Sequence, residues 1–298
     1  MKELSEKLQL QTLLLNATHN YFQKNNYDNI VSPKIVLFKD DEIDHLIGVQ
    51  IKGREEELFL SRSPQLYKEI ACLNSLSGRV YEVGPVFRGE PEGNFRRANE
   101  FVGVDVEIKT NNLSDLLISL ERYVNSIKEN SKLEEYFEKQ EIIPCFPDEI
   151  IKISYSEALK QINSKKINSK EEKKLYEMVN KNSSKRRWIF LTEFPANSRG
   201  FYQINGDITD SFDLISEWEI CSGGLRRNDV DTYFNLLEKI GWSTKEMELY
   251  RQIKSETKDI KTGGYGVGLE RLAGAIIGKN NIGEIQPYKR IPEEKIRF

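Results

Sequence analysis

RVYEVGPVFRGEPEGNFRRANEFVGVDVEI, residues 79–108, is the stretch whose reading decides the fold. Arg79 to Arg88 and Phe101 to Ile108 both read as strands, and the segment between them is rich in Gly, Pro and charge, which predicts a hairpin with a long tip. In the second strand a period of two separates Val102, Val104, Val106 and Ile108 from Phe101, Gly103, Asp105 and Glu107. One face is core; the other offers an aromatic ring, a gap and two carboxylates. Arg88 ends the first strand, and Glu90, Arg96 and Arg97 follow on the tip. Guanidinium groups so concentrated suit phosphate oxygens, while a solvated hairpin tip is the plainer alternative.

Working outward, Leu10, Leu14, Ala17 and Tyr21 recur at helical spacing from Ser5 to about Gln23. Ile30 and Val31 lead into Pro33, a residue suited to a sheet edge or an interface. Leu113 to Asn130 has helical periodicity, and about 132–183, rich in Lys, Glu, Asn and Ser, reads as a helical insertion within one domain spanning 1–298. Phe212 to Ile220 reads as one strand and about Asp229 to Ile240 as a helix.

Near the C-terminus, GGYGVGLERLAGAIIG runs from a glycine-rich strand into an apolar helix. Gly264, Gly266 and Gly268 fall at alternate positions, so one strand face lacks side chains, and Arg271 follows on the first turn of the helix. A flat or backbone-hugging anionic ligand fits there, and so does tight strand packing. Neither a Walker loop nor a dinucleotide fingerprint matches this spacing. Asp213 and Glu219, six residues apart, are carboxylates able to meet around Mg2+ held partly by phosphates. His19 and His45 read as a helix-surface and a loop histidine.

Composition narrows the classes. Forty-four Lys and Arg against 47 Asp and Glu leave a net charge of −3, unlike proteins that grip long nucleic acid through phosphates, although local binding of one RNA is compatible with it. Cys72, Cys145 and Cys221 lack any metal-ligand or disulfide spacing and read as reduced thiols. No apolar run is long enough to span a membrane, and MKELSEKLQLQ opens with alternating charges instead of a basic segment leading into an apolar one, so a cytoplasmic protein is expected.

Taken together, these pieces resemble the class II aminoacyl-tRNA synthetases. VYEVGPVFRGE and NEFVGVDVEI look like motif 2, GGYGVGLERL like motif 3, and the helix leading to Pro33 like motif 1. SPQLYKE, FLTEFPANSRGFY and SFDLISEWEICSGGLR are similar to the catalytic core of aspartyl- and asparaginyl-tRNA synthetases over nearly the whole chain, without their anticodon-binding barrel. A few stand-alone asparagine synthetases share this core-only layout, and GEIQPYKRIP resembles their C-terminal signature.

The resemblance implies an α+β fold, an antiparallel sheet flanked by helices, and an ATP-dependent, AMP-forming ligase. It places Arg88 on the α-phosphate of ATP and Arg271 on the γ-phosphate, with Gly268 beneath the nucleotide. Phe101 would stack on adenine and Glu90 bond its edge. Asp213 and Glu219 would bind Mg2+, and Asp105 the amino group of the amino acid. Lys68 and Arg226 would pair with a side-chain carboxylate, and Gln65 would orient the amino acid. The lysine at 68 implies aspartate over asparagine, since two buried cations match a carboxylate and leave an amide short of charge. No protein nucleophile is needed, because positioning and electrostatics supply the acceleration.

Two acceptors follow for the aspartyl-adenylate. Ammonia, giving asparagine, is expected first, from the missing anticodon domain and the acidic charge. The alternative is tRNA, from the basic hairpin tip and the basic runs KKINSKEEKK and SSKRR. A second alternative is a catalytically silent amino-acid- or nucleotide-binding paralogue. Arg227 and Asn228 after Arg226, and YKR near the C-terminus, depart from the common pattern. A homodimer with Pro33 near its two-fold axis is implied.

Overall fold

The structure, a computed structural model, describes residues 2–37, 46–90, 95–199, 202–239 and 247–292. Its first third holds α1 (Lys2–Lys24), β1 (Asp28–Asn29), β2 (Ile35–Val36), β3 (Gly48–Val49), β4 (Leu58–Leu60), α2 (Gln65–Asn74), β5 (Arg79–Phe87) and β6 (Glu100–Lys109). The middle holds α3 (Leu113–Lys128), α4 (Ser131–Lys139), β7 (Glu149–Ser154), α5 (Tyr155–Ile162), α6 (Ser169–Asn180) and β8 (Arg187–Thr192). Then come β9 (Ile204–Asn205), β10 (Ile208–Thr209), β11 (Ser211–Ile215), β12 (Glu219–Leu225), α7 (Val230–Lys239), α8 (Glu248–Glu256), β13 (Thr262–Gly268), α9 (Leu269–Ile277) and α10 (Ile282–Ile285).

The main sheet runs β1-β5-β6-β13-β12-β11-β8-β7. Its six central strands are antiparallel, as expected, while the outermost pairs β1/β5 and β7/β8 are parallel. Val104, Val106 and Ile108 of β6 are buried in the principal core with Leu10, Leu14, Leu116 and Leu120 of α1 and α3. Helix α3 starts where Asn112 accepts a hydrogen bond from the Ser114 N–H. The opposite face of β6, with Asp105 and Glu107, is buried as well, because α2 packs across β5 and β6.

Two expectations change. Phe212 to Ile220 is not one strand: a turn at Ser216–Trp218 folds it into the antiparallel pair β11 and β12, whose register pairs Asp213 with Ser222. Both halves are apolar enough to read continuously, and the turn carries no Gly or Pro to mark it. The region 132–183 is not helical throughout, since β7 lies within it and extends the main sheet beside β8. His45 and Ile240 lie outside the described residues. His19 is half-buried, its Nδ1 3.0 Å from the Tyr81 hydroxyl. Among the described residues no helix is long and apolar enough to cross a membrane.

Candidate active site

Strands β6, β13 and β12 form the floor of a cavity of about 230 Å³. Register places Gly266 opposite Asp105, Gly268 opposite Gly103 and Gly264 opposite Glu107. Gly266 and Gly268 line the cavity. Gly264 has the other role considered for these glycines: a Cβ there would come within 2.0 Å of Glu107 Oε2. Its missing side chain lets Glu107 reach across β13.

Arg88, Arg271, Lys68 and Arg226 all line this one cavity, joined by Gln65, Phe101, Gly268, Asp105 and Glu219. Two expected site residues, Glu90 and Asp213, are not among its lining. Seven cationic side chains (Arg62, Lys68, Arg88, Arg96, Arg97, Arg226 and Arg271) face three carboxylates (Asp105, Glu219 and Glu270), a surplus of four positive charges.

The arginine-rich end is built by the tip of β5, the start of β6 and α9. The Arg88 guanidinium lies 5.4 Å from the Phe101 ring centroid, and its Nε is buried without a hydrogen-bond partner. Burial lowers its pKa, and the charges of Arg271 and Arg62 lower it further. Arg271 Nη1 donates to the Glu219 carbonyl at 3.2 Å and to Glu219 Oε1 at 3.3 Å. Glu270 accepts the Val102 N–H at 3.1 Å, tying α9 to β6 beside Phe101, and burial pushes its carboxyl up to about 7. Glu90 is ion-paired with Arg97, so its carboxylate already has a partner within the chain.

Behind this end, Arg199 donates to Asp213 Oδ2 and, at 3.1 Å, to Ser222 Oγ, while Asp213 Oδ1 is buried without a partner. Burial raises the Asp213 carboxyl, and the negative charge of Glu219 adds to the rise against the pull of Arg199. For Glu219, burial acts upward but is outweighed by Arg271 and Arg88, which leave its carboxyl below the ordinary value. Glu172 of α6 accepts the Glu219 N–H at 3.2 Å and is pushed up to about 7, first by burial and then by the Glu219 charge. Among the described residues no group of three His, Cys, Asp or Glu side chains is arranged to hold a metal ion by itself.

At the other end, Lys68 Nζ pairs with Asp105 Oδ1 at 2.8 Å and donates to the Tyr265 carbonyl at 3.3 Å. Arg226 Nε and Nη2 donate to the two Glu107 oxygens at 2.9 and 2.8 Å. Its Nη1 is buried and unpartnered, and Tyr202 lies over the guanidinium at 5.4 Å. Both cations expected to be free for a substrate carboxylate therefore already hold carboxylates of the chain, and Asp105, expected on the amino group, holds Lys68.

Sequence reasoning assigned no part to Arg62, Glu107, Glu172, Arg199, Tyr202 or Glu270. Arg199 and Tyr202 lie in FLTEFPANSRGFY, and Glu107 on the polar face of β6, so a signal was present for those three. For Glu172, inside a charge-rich helix, there was none.

The sequence family described as tRNA synthetases class II (D, K and N) matches residues 1–292. The aspartate–tRNA(Asp) ligase of Picrophilus torridus is 30% identical, over 94% of this chain and 67% of its own length. The aspartate–tRNA(Asp/Asn) ligase of Saccharolobus solfataricus is 29% identical, over 97% and 68%. Among solved structures, asparaginyl-tRNA synthetase from Pyrococcus horikoshii complexed with asparaginyl-adenylate superposes with a TM-score of 0.85, covering 100% of this chain and 71% of that one at 22% identity, a likeness of fold. With the stretches resembling motifs 2 and 3 gathered around one cavity and its family matched almost end to end, the chain belongs to the class II tRNA synthetases of the D, K and N group.

Proposed function

We propose that this cavity activates aspartate with ATP and that the aspartyl group then passes to a tRNA. The observation that carries the reading is one cavity, with four surplus positive charges in its lining, that has two unlike ends: an arginine-rich end, and an end where Lys68 and Arg226 stand among carboxylates. ATP is a polyanion, of the sign opposite to that surplus. An oxygen of the aspartate α-carboxylate bonds to the α-phosphorus, the bond from that phosphorus to the bridging oxygen breaks, and pyrophosphate leaves with its electron pair. Arg88 and Arg271 stabilise the charge that develops, and Phe101 offers its ring to the adenine. The terminal hydroxyl of the tRNA next bonds to the carbonyl carbon, AMP departs and the hydroxyl proton is released.

Mg2+ fits the residues present. Asp213 and Glu219 would hold it: Asp213 keeps a buried oxygen unpartnered on β11, and Glu219 opens the adjoining strand β12. When bound, the ion neutralises phosphate charge. At the amino-acid end, Asp105 meets the substrate ammonium while Arg226 Nη1 and Lys68 meet the side-chain carboxylate.

The acceptor expected first from the sequence, ammonia, gives way to tRNA, because relatives at 30% and 29% identity are aspartate–tRNA ligases. The proposal includes a second copy of the chain across Pro33, supported by exposed apolar Val31, Ile35 and Leu37. Aspartate-dependent exchange of pyrophosphate into ATP, followed by aspartylation of bulk tRNA, tests the reading. Exchange with aspartate is expected, and its absence overturns the proposal; asparagine formed from ammonium in place of charged RNA returns the ammonia reading.

A further inference from the structure

Next to the amino-acid end is a third buried ion pair, neither member of which lines the cavity. Lys254 Nζ of α8 sits 2.7 Å from Glu69 Oε1, with side-chain exposures of 3% and 1%. Glu69 is also held by the Tyr250 hydroxyl at 2.7 Å and the Thr262 hydroxyl at 3.2 Å, and Lys254 donates to Asn228 Oδ1 at 3.2 Å. The pair adjoins both substrate-facing cations. Glu69 follows Lys68 on α2, and the Arg226 N–H donates to the carbonyl of the same Thr262 at 2.8 Å. The Glu69 charge is felt at the Arg226 guanidinium, although less than that of Glu107.

Three pairs thus stand side by side, Lys68–Asp105, Arg226–Glu107 and Lys254–Glu69, all buried. Three cations balance three carboxylates. Charges in such a place are poorly screened, so the sum of the set matters as well as the nearest contact. A balanced set accepts the extra negative charge that distinguishes an aspartate side chain from an asparagine one. Without Lys254 the set is anionic and repels that charge, while the neutral amide is indifferent to it.

We propose that Lys254 is a specificity-determining residue: by neutralising Glu69 it keeps the amino-acid end charge-balanced and so sets the preference for aspartate over asparagine. The inference rests on the aspartate-activating reading above. Its signature is a pair of effects of opposite sign. Lys254→Met makes the set anionic and weakens aspartate relative to asparagine, whereas Glu69→Gln makes it cationic and strengthens aspartate relative to asparagine. A purely architectural pair predicts the same loss for both ligands in both variants.

The test measures the KM for aspartate and the inhibition constant of asparagine in pyrophosphate exchange, for the wild-type chain, Lys254→Met, Glu69→Gln and the double variant. The preference is expected to fall about tenfold or more in Lys254→Met, to rise in Glu69→Gln, and to return near wild type in the double variant, where the charges are again balanced. Because Lys254→Met leaves a buried carboxylate without its cation and is the variant most exposed to misfolding, Glu69→Gln and the double variant decide the matter alone if it does not fold. An unchanged preference in Glu69→Gln, or shifts of the same sign in both single variants, overturns the inference while leaving aspartate activation standing. Absence of exchange in the wild-type chain removes the aspartate reading itself, and this inference with it.

Discussion

Arg226 grips Glu107 through Nε and Nη2, at 2.9 and 2.8 Å, and holds Nη1 buried without a partner. Glu107 is fully buried, so the fork of the guanidinium is aimed by a carboxylate that cannot turn to solvent. The two N–H donors of Nη1 are left over, on a group that lines the cavity. Lysine cannot reproduce this geometry, having no planar fork. Arg226→Lys is expected to raise the KM for aspartate about tenfold to a hundredfold, corresponding to roughly 1.5–3 kcal/mol. The KM for ATP should change little, and equal changes in both would contradict the assignment.

Arg88 should separate activity from stability. Burial first, and then the charges of Arg271 and Arg62, disfavour its own charge against the opposing pull of Glu219 and Glu90. Arg88→Ala removes transition-state stabilisation and relieves like-charge crowding together. Exchange should fall by about 10²-fold or more, while the midpoint of thermal unfolding stays level or rises. Parallel loss of exchange and of thermal stability would speak against a phosphate-binding role.

Gly264 and Gly48 offer a matched pair for the close-packing argument. A Cβ at 264 would lie 2.0 Å from Glu107 Oε2 and 2.2 Å from the Val106 carbonyl, whereas one at 48 meets nothing within 4 Å. Gly264→Ala is expected to destabilise by about 3 kcal/mol in urea unfolding, and Gly48→Ala by less than about 0.5 kcal/mol.

Glu270 should show in the pH dependence of stability. Its carboxyl is pushed up to about 7 by burial, from an ordinary 4.5, so between those values the folded chain binds more protons than the unfolded one. Stability contributed by the protonated form is therefore full below the ordinary value and lost as pH rises through about 7. Relative to Glu270→Gln, the wild-type chain should lose on the order of 2 kcal/mol from pH 5 to pH 7.5. Parallel stability curves for the two proteins would refute the assignment.

Removing Mg2+ probes the carboxylates of β11 and β12. Asp213→Asn is expected to raise the Mg2+ concentration needed for exchange severalfold and to leave Arg199 a weaker, uncharged partner. Titration of exchange against Mg2+ reads this directly, and an unshifted midpoint would remove Asp213 from the set.

What the amino-acid sequence determined by itself was local and periodic. Alternation along 101–108 separated a core face from a second face, whose Phe101, Gly103 and Asp105 line the cavity together. The motif arginines Arg88 and Arg271 were legible because residue type and flanking glycines carry their meaning without a partner. Partnership was decided by tertiary structure. Lys68 meets Asp105 from 37 residues away because α2 packs across β6, and Arg226 meets Glu107 from 119 through the strand order β6-β13-β12 and its register. The split of 212–220 into two strands, and the arrival of Glu172 from α6 beside Glu219, were likewise tertiary outcomes. Periodicity reports which way a side chain faces; the charge waiting across the gap depends on how distant segments pack, and burial makes that charge count.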